Sequence, residues 1–192
     1  SFPRPPALCA GCPHRGFFYE LGKRKDTVMI GDIGCYALGG SRRSTPRTWP
    51  SVWAVLSPLL TASAMAFSSV IRRSGLSPAW AIRRSSIRHQ LPDRSAYNGS
   101  NAICVILDNR ITGMTGHQDN PGTGYNIKGE PATLIDVETV VKALGIKNVR
   151  TVNPLDLKAM KETLDWAFAI EDEPSVIITK RPCVLKKFSK EE

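Results

Sequence analysis

The chain of 192 residues contains no run of about 18 apolar residues, the length a membrane-spanning helix needs. Its first residues, Ser-Phe-Pro-Arg-Pro-Pro, lack the apolar stretch of a secretory signal. No membrane partner is therefore expected, and the reading is a cytoplasmic protein. An initiating Met is also missing, so the chain reads as a piece of a longer protein or a processed product. Cysteine is sparse. Five in 192 residues are too few for a disulfide scaffold and point instead to metal or redox chemistry. The length suits a single α/β domain, residues 1–192, with enough chain to bury a core.

Acid is almost absent from one stretch. Between Ser41 and Ala96 stand nine Arg, no Lys and a single carboxylate, Asp93, whereas the rest of the chain holds 17 basic and 16 acidic residues. The net charge of +9 therefore belongs to one block and not to a basic face. The block also carries twelve Ser, five Pro and three of the four Trp. Arg/Ser tracts bind RNA in some proteins. Such tracts are rarely broken by Trp-Pro, Val-Trp-Ala-Val-Leu or Pro-Leu-Leu, and no helical or alternating period runs through this one. An RNA-binding insert is kept as a third reading, and a steep salt dependence would mark it. The expectation is no nucleic-acid partner.

Outside the block the pattern is regular. An apolar run at Val28–Ile30 ends in Gly31-Asp32-Ile33-Gly34, a strand followed by a glycine turn. Ala102–Leu107 reads as a buried parallel strand that ends at Asp108-Asn109. A polar loop rich in Gly and Pro follows, from Arg110 to Ala132. Asp136–Leu144 has helical spacing and stops at Gly145, and Val149–Val152 is a short strand. A helix is expected from about Pro154 to Ile170, with Leu157, Met160, Leu164, Ala167 and Phe168 on one face, and then a buried strand at Ser175–Thr179. Strands alternating with helices predict an α/β fold with a doubly wound parallel sheet. Ligands of such sheets sit at the carboxyl ends of the strands, where Asp32–Cys35 and Asp108-Asn109 both fall.

That placement suggests chemistry. Asp108 to Gln118 offers an amide oxygen, two hydroxyls and two glycines at a strand end. Mg²⁺ takes oxygen ligands and shares them with phosphates, and glycines let backbone N–H groups approach those phosphates. An ordinary polar loop has the same composition, so both readings stand at this point. Cys9 and Cys12 form a C-x-x-C pair, Cys35 follows one strand, and Cys183 follows the last. Four thiolates can hold a four-iron cluster or Zn²⁺; four free thiols are the plainer alternative. Cys104 lies inside an apolar strand and reads as core. His14, beside C-x-x-C, is either a group supporting a metal site or a surface His at a helix start. His117 in the glycine loop could contact phosphate, and His89 lies in the block with no role assigned.

Several motifs in order carry a resemblance. Cys-Ala-Gly-Cys-Pro-His-Arg-Gly (9–16), Gly-Asp-Ile-Gly-Cys-Tyr (31–36), Val-Ile-Leu-Asp-Asn-Arg-Ile-Thr-Gly-Met-Thr-Gly-His-Gln (105–118), Pro-Gly-Thr-Gly (121–124) and Lys-Arg-Pro-Cys-Val (180–184) resemble the thiamine-diphosphate-binding domain of the indolepyruvate:ferredoxin oxidoreductase family. The likeness covers Pro5–Gly40 and Tyr97–Lys187. It implies a thiamine-diphosphate-binding sheet domain. In that family aryl pyruvates are oxidatively decarboxylated to acyl-coenzyme A, with electrons passing through iron–sulfur clusters to ferredoxin. By resemblance Asn109 would ligate Mg²⁺ through its side chain and Ile111 through its carbonyl. Thr115 and Gly116 would hold the diphosphate, with Gly34 and Cys35 also at the cofactor. Cys9, Cys12, Cys35 and Cys183 match the cysteines of a 4Fe-4S cluster in related 2-oxoacid enzymes. The glutamate that activates the cofactor belongs to a separate pyrimidine-binding domain in such enzymes, so no catalytic residue is assigned to this chain. Implied partners are that domain, the beta subunit of the same enzyme, ferredoxin, coenzyme A and the aryl pyruvate. A folded, non-catalytic module with a four-cysteine zinc or iron–sulfur site is the alternative.

The departure from the family falls in the Arg/Ser block. Relatives carry Gly-Asp-Gly or Gly-Asp-Ser some 25–30 residues before the Asn, and that Asp is the main Mg²⁺ ligand. Here the corresponding stretch reads Trp80-Ala-Ile-Arg-Arg-Ser-Ser-Ile-Arg88. Shifting the codon frame by one base explains it. The last base of Trp80 (TGG) and the first two of Ala81 (GC) spell Gly, and the codons that follow permit Asp-Ser-Thr-Phe-Phe-His-Ser. In the same offset Arg47–Ala54 permits Asp-Met-Ala-Ile-Cys-Met-Gly, close to a family stretch. Residues 41–96 are therefore expected to be out of frame and the chain as written to be inactive, with few regular elements in the segment.

Overall fold

A computed structural model describes residues 7–24, 27–31, 34–40, 67–73 and 103–186. Helix α1 (His14–Gly22) leads into strand β1 (Thr27–Gly31) and a 3₁₀ helix at Cys35–Gly40. Strand β2 (Phe67–Arg73) and strand β3 (Ile103–Asp108) follow. Helix α2 (Val137–Ala143), strand β4 (Asn148–Val152), helix α3 (Leu157–Ala169) and strand β5 (Ser175–Lys180) complete the order. The five strands form one sheet in the order β1-β2-β3-β5-β4. Strand β3 pairs β5 in parallel from Ile103↔Ser175 to Asp108↔Lys180, and β4 pairs the other edge of β5 in parallel.

The sheet is an α/β sheet as expected, with one departure. Strand β2 runs antiparallel to both β1 and β3, so β1, β3, β4 and β5 share a direction and β2 opposes them. No strand was expected at 67–73. Phe-Ser-Ser-Val-Ile-Arg-Arg has no alternating period, and its pairing is supplied by the backbones of its two neighbours. Within 41–96 only these seven residues are described, so Trp49, Trp53, Trp80 and the rest of the block lie outside the described residues.

Alternation along β3 divides the core. Ile103, Val105 and Leu107 face one side and pack with Phe17, Phe18 and Leu21 of α1 and with Met160, Leu164 and Ala167 of α3. Cys104 and Ile106 face the other side and meet Val137 and Val141 of α2, with Ile146, Val176 and Ile178. A strand covered on both faces needs apolar residues at every position, which explains the unbroken Ile-Cys-Val-Ile-Leu run. Each fully buried aliphatic side chain contributes about 2 kcal/mol.

Helix ends follow from local chemistry. Asp136 caps α2 by accepting from the Thr139 N–H at 3.0 Å and the Thr139 hydroxyl at 2.8 Å. Helix α3 starts later than expected. The Asp156 carboxylate caps it by accepting from the Ala159 N–H at 3.0 Å, and Pro154 and Leu155 form a turn held by Asn153. Leu157 is accordingly exposed and does not join the apolar face, while Met160, Leu164 and Ala167 are fully buried.

Helix α1 passes very close to that turn. A Cβ on Gly16 would lie 1.7 Å from the Pro154 carbonyl oxygen, and the obstacle is backbone that no rotamer change can move. Gly16→Ala should therefore lose about 3 kcal/mol of stability, with a matching drop in denaturant midpoint. An unchanged midpoint would mean that α1 does not seat on the Pro154 turn as described.

Candidate functional site

The carboxyl ends of β3 and β5 bring the predicted residues together. After Asp108 the chain turns sharply through Arg110, a non-glycine residue with φ 57°. Two contacts hold this conformation. The Arg110 N–H donates to Asp108 Oδ1 at 2.9 Å, and Arg110 Nη1 donates to the Gly122 carbonyl at 3.0 Å. The Asp108 carboxylate also pairs with Arg110 Nε at 3.5 Å, so it braces the turn. This brace was not anticipated; the one signal in the sequence was an acid two residues before an arginine at a strand end.

Asn109 is fixed from two sides. Its Oδ1 accepts from the Ile111 N–H at 3.2 Å, and its backbone carbonyl accepts from the Cys183 N–H at 2.8 Å. The neighbouring Arg181 N–H donates to the Asp108 carbonyl at 3.0 Å, which extends the β3–β5 ladder past the strand ends. Ile111 is buried beneath the loop. Thr112 and Gln118 exchange backbone hydrogen bonds at 2.9 and 3.2 Å and close a small ring of residues 113–117. Thr115, Gly116 and His117 lie exposed on that ring. Gly116 has φ 124° and His117 φ 62°. The Thr115 hydroxyl donates to Gln118 Oε1 at 2.7 Å, and Gln118 Nε2 donates to the Thr115 carbonyl at 2.7 Å.

The four cysteines come from three separate parts of the chain and lie near one another. Cys9 is exposed, Cys12 buried, and Cys35 and Cys183 are half-buried. Gly34 and Cys35 enter the 3₁₀ helix after β1, and Cys183 follows β5. Cys9 and Cys12 sit in one turn: the Cys12 N–H donates to the Cys9 carbonyl at 3.2 Å, with Gly11 at φ 72°. Arg15 pins this turn through its Nε, which donates to the Cys9 carbonyl at 2.7 Å. Burial pushes the Cys12 thiol up, a hydrogen bond from His14 offsets part of this, and the thiols of Cys183, Cys9 and Cys35 push it up further. Burial likewise raises the Cys35 thiol, followed by Cys183 and Cys9. Each of these two thiols thus feels neighbouring thiols across the site. Among the described residues no three His, Cys, Asp or Glu side chains already stand at metal-ligating separation.

Cys104 is elsewhere, buried in β3, where burial pushes its thiol up to about 12. His14 is not a surface residue: it is 2% exposed, at the start of α1 and next to the Cys9–Cys12 turn. Burial holds its imidazole down to about 4 against an ordinary 6.5. The unfolded chain therefore binds a proton at this site between pH 6.5 and about 4 that the fold refuses. Stability from this group is full above pH 6.5, falls by up to about 3 kcal/mol through that window, and levels off below it. Melting curves across the window should show this loss, and His14→Leu should flatten it. An equal slope in the variant would remove His14 as the cause. His89 lies outside the described residues.

Comparison with known proteins agrees with this fold. Residues 90–179 match the family described as "Thiamine pyrophosphate enzyme, C-terminal TPP binding domain". The chain is 34% identical over 193 residues to the indolepyruvate oxidoreductase subunit IorA of Archaeoglobus fulgidus, across 95% of this chain and 29% of the relative. It is 37% identical over 195 residues to the same subunit of Pyrococcus abyssi, across 95% of this chain and 30% of the relative. A solved 2-oxoglutarate:ferredoxin oxidoreductase from Magnetococcus marinus, with 2-oxoglutarate, coenzyme A and succinyl-CoA bound, shares the fold. Its TM-score is 0.63 at 16% identity, over 94% of this chain and 65% of that one. Fold and matched domain define the class: a thiamine-pyrophosphate-binding α/β domain. Over 95% of its length the chain is similar to indolepyruvate oxidoreductase subunits, and residues 90–179 carry the thiamine-pyrophosphate-binding match. It spans about three tenths of the length of the curated relatives it matches. Among the described residues no helix is long and apolar enough to cross a membrane.

Proposed function

We propose that this chain descends from, and in its intact frame acts as, the Mg²⁺–thiamine diphosphate domain of an enzyme that oxidatively decarboxylates aryl pyruvates. The observation that carries the reading is Asn109. Its side chain is held at the carboxyl end of β3, its carbonyl is tied to the β5 tail, and the ring 113–117 with Gly116 lies alongside. The residues suit the cofactor. Asn109 Oδ1 spends one lone pair on the Ile111 N–H and keeps another for a cation. Asn109 and the Ile111 carbonyl would ligate Mg²⁺, and Thr115 and Gly116 would receive the diphosphate, with Gly34 and Cys35 at the edge of the site. Bound thiamine diphosphate supplies the electron sink that lets a 2-oxo acid release CO₂. With its frame intact, this domain would contribute anchoring, holding Mg²⁺ against the diphosphate and fixing the cofactor's orientation.

Cys9, Cys12, Cys35 and Cys183 would hold a 4Fe-4S cluster that accepts electrons beside the cofactor. The mutual repulsion of their thiolates favours a cationic occupant. The pyrimidine-binding domain and beta subunit of the same enzyme, with coenzyme A and ferredoxin, would complete a cytoplasmic assembly. Residues 41–96 are out of frame in this reading and lack the principal Mg²⁺ carboxylate. The family match supports this, since it starts only at residue 90. Alignments to relatives at 95% coverage run across the block, as they do when paired frameshifts preserve length.

The reaction is tested on the full-length enzyme with its frame intact. Indolepyruvate should reduce a low-potential acceptor in a coenzyme A-dependent way, faster than pyruvate or 2-oxoglutarate, and the protein should contain iron and acid-labile sulfide. Zinc in place of iron, with no reduction, would favour the non-catalytic alternative.

A further inference from the structure

Gln118 holds the ring of residues 113–117 in two ways. Its backbone closes the ring, with the Thr112 N–H donating to its carbonyl at 2.9 Å and its own N–H donating to the Thr112 carbonyl at 3.2 Å. Its side chain reaches back across the ring to Thr115. Nε2 donates to the Thr115 carbonyl at 2.7 Å, and Oε1 lies 2.7 Å from the Thr115 hydroxyl. These two contacts fix each other's sense. A carbonyl only accepts, so the amide nitrogen must face it, which leaves Oε1 at the hydroxyl. The hydroxyl must then donate its one proton to Gln118. Neither side chain serves the core, since Thr115 and Gln118 are both exposed. What the clamp leaves open is main chain. Among the described residues the N–H groups of Gly113, Met114, Thr115 and His117 have no acceptor, and the Gly116 N–H makes one bond of 3.5 Å to the Gly113 carbonyl.

We propose that Gln118 is a positioning residue for the diphosphate: it engages the Thr115 hydroxyl and sets the ring, so that phosphate oxygens are received by main-chain N–H groups and not by that hydroxyl. The inference rests on the cofactor reading proposed above. Ionised phosphate oxygens only accept, and a hydroxyl proton given to Gln118 is not available to them. The unpaired N–H groups are available, and small turns of this kind receive anions through the backbone. Such groups need a fixed ring, because ordering them at the moment of binding costs conformational entropy that is subtracted from affinity. The Gln118 side chain supplies that order from within the loop, through the two contacts to Thr115.

Binding of labelled thiamine diphosphate to the full-length enzyme with its frame intact, by equilibrium dialysis in excess Mg²⁺, is the test. Gln118→Met keeps the backbone closure of the ring and removes both side-chain contacts, so affinity should fall about tenfold. Thr115→Val should also weaken binding, and Thr115→Ser should recover most of that loss. Both changes break one clamp, so the double variant of Thr115→Val and Gln118→Met should bind no more weakly than Gln118→Met alone. Because the two side chains are exposed, the denaturant midpoint should stay with the parent throughout, which separates positioning from a general loosening of the fold. Unchanged affinity in Gln118→Met, or a midpoint that falls in step with affinity, overturns the inference and leaves the cofactor reading standing. So do losses that multiply in the double variant, which would put the Thr115 hydroxyl on the diphosphate itself. A parent without Mg²⁺-dependent binding overturns the cofactor reading, and this inference with it.

Discussion

Asn109→Ala, placed in a chain whose residues 41–96 are restored to the hidden frame, is expected to weaken Mg²⁺-dependent thiamine diphosphate binding about 100-fold. Mg²⁺ demands near-ideal octahedral oxygen geometry and dehydrates reluctantly, so a lost ligand is not replaced cheaply. The alanine removes the oxygen and also frees the Ile111 N–H, whose hydrogen bond shapes the loop. Asn109→Asp separates the two effects. It keeps an oxygen in place and adds a charge, so it should retain most of the affinity that the alanine loses. Equilibrium dialysis with labelled cofactor, with and without Mg²⁺, reads both variants. Equal binding by the alanine variant and the parent would remove Asn109 from the site.

Cys104 should be alkylated far more slowly than Cys9 at pH 8. The thiolate is the reactive species, and burial holds the Cys104 thiol up to about 12 against an ordinary 9.0. Cys9 is exposed at the start of the C-x-x-C turn. Mass spectrometry of chain treated with iodoacetamide should therefore find Cys9 labelled early and Cys104 only after denaturation. Rapid native labelling of Cys104 would mean that β3 is not covered on both faces.

The sequence exposed most where one force dominates. Ile103–Leu107 and Ser175–Thr179 are buried on both faces, so their apolar runs could be nothing but central strands. Helix α2 was bounded by two local signals, the Asp136 cap and the glycine at 145, whose φ of 86° suits no other residue well. Helix α3 was mis-started because Pro154 reads as a first-turn residue, whereas Asp156 supplies the cap two residues later. Helix α1 was read only as a possible helix start at His14, with no bounds. Its Phe17, Phe18 and Leu21 do fall on one face, but nine residues give the period little room. The antiparallel course of β2 was invisible, because pairing direction depends on where the chain turns.

At the site, residue types were legible and their tethers were not. Glycines, Asn109 and the cysteines could be picked out by chemistry and order along the chain. That Asp108 braces Arg110 depends on a local turn, and that Cys183 holds the Asn109 carbonyl depends on the β3–β5 register, which places residues more than 70 positions apart side by side. Of the two readings of His14, burial removes the surface one, for a related reason. A histidine after Cys-Pro at a helix start looks exposed until the approach of α1 to the sheet buries it.

Calorimetric titration of Mg²⁺–thiamine diphosphate into two chains, one as written and one with residues 41–96 in the hidden frame, reaches the central claim. Among the described residues, the loop offers the neutral Asn109 amide and the Ile111 carbonyl, and the adjacent acid, Asp108, is committed to Arg110. Neutral ligands stabilise a partly buried dication far less than a carboxylate does. The account predicts no measurable binding to the chain as written and tight, Mg²⁺-dependent binding with one site per chain once the Gly-Asp-Ser carboxylate returns. Tight binding by the chain as written, or none by the restored chain, would contradict it.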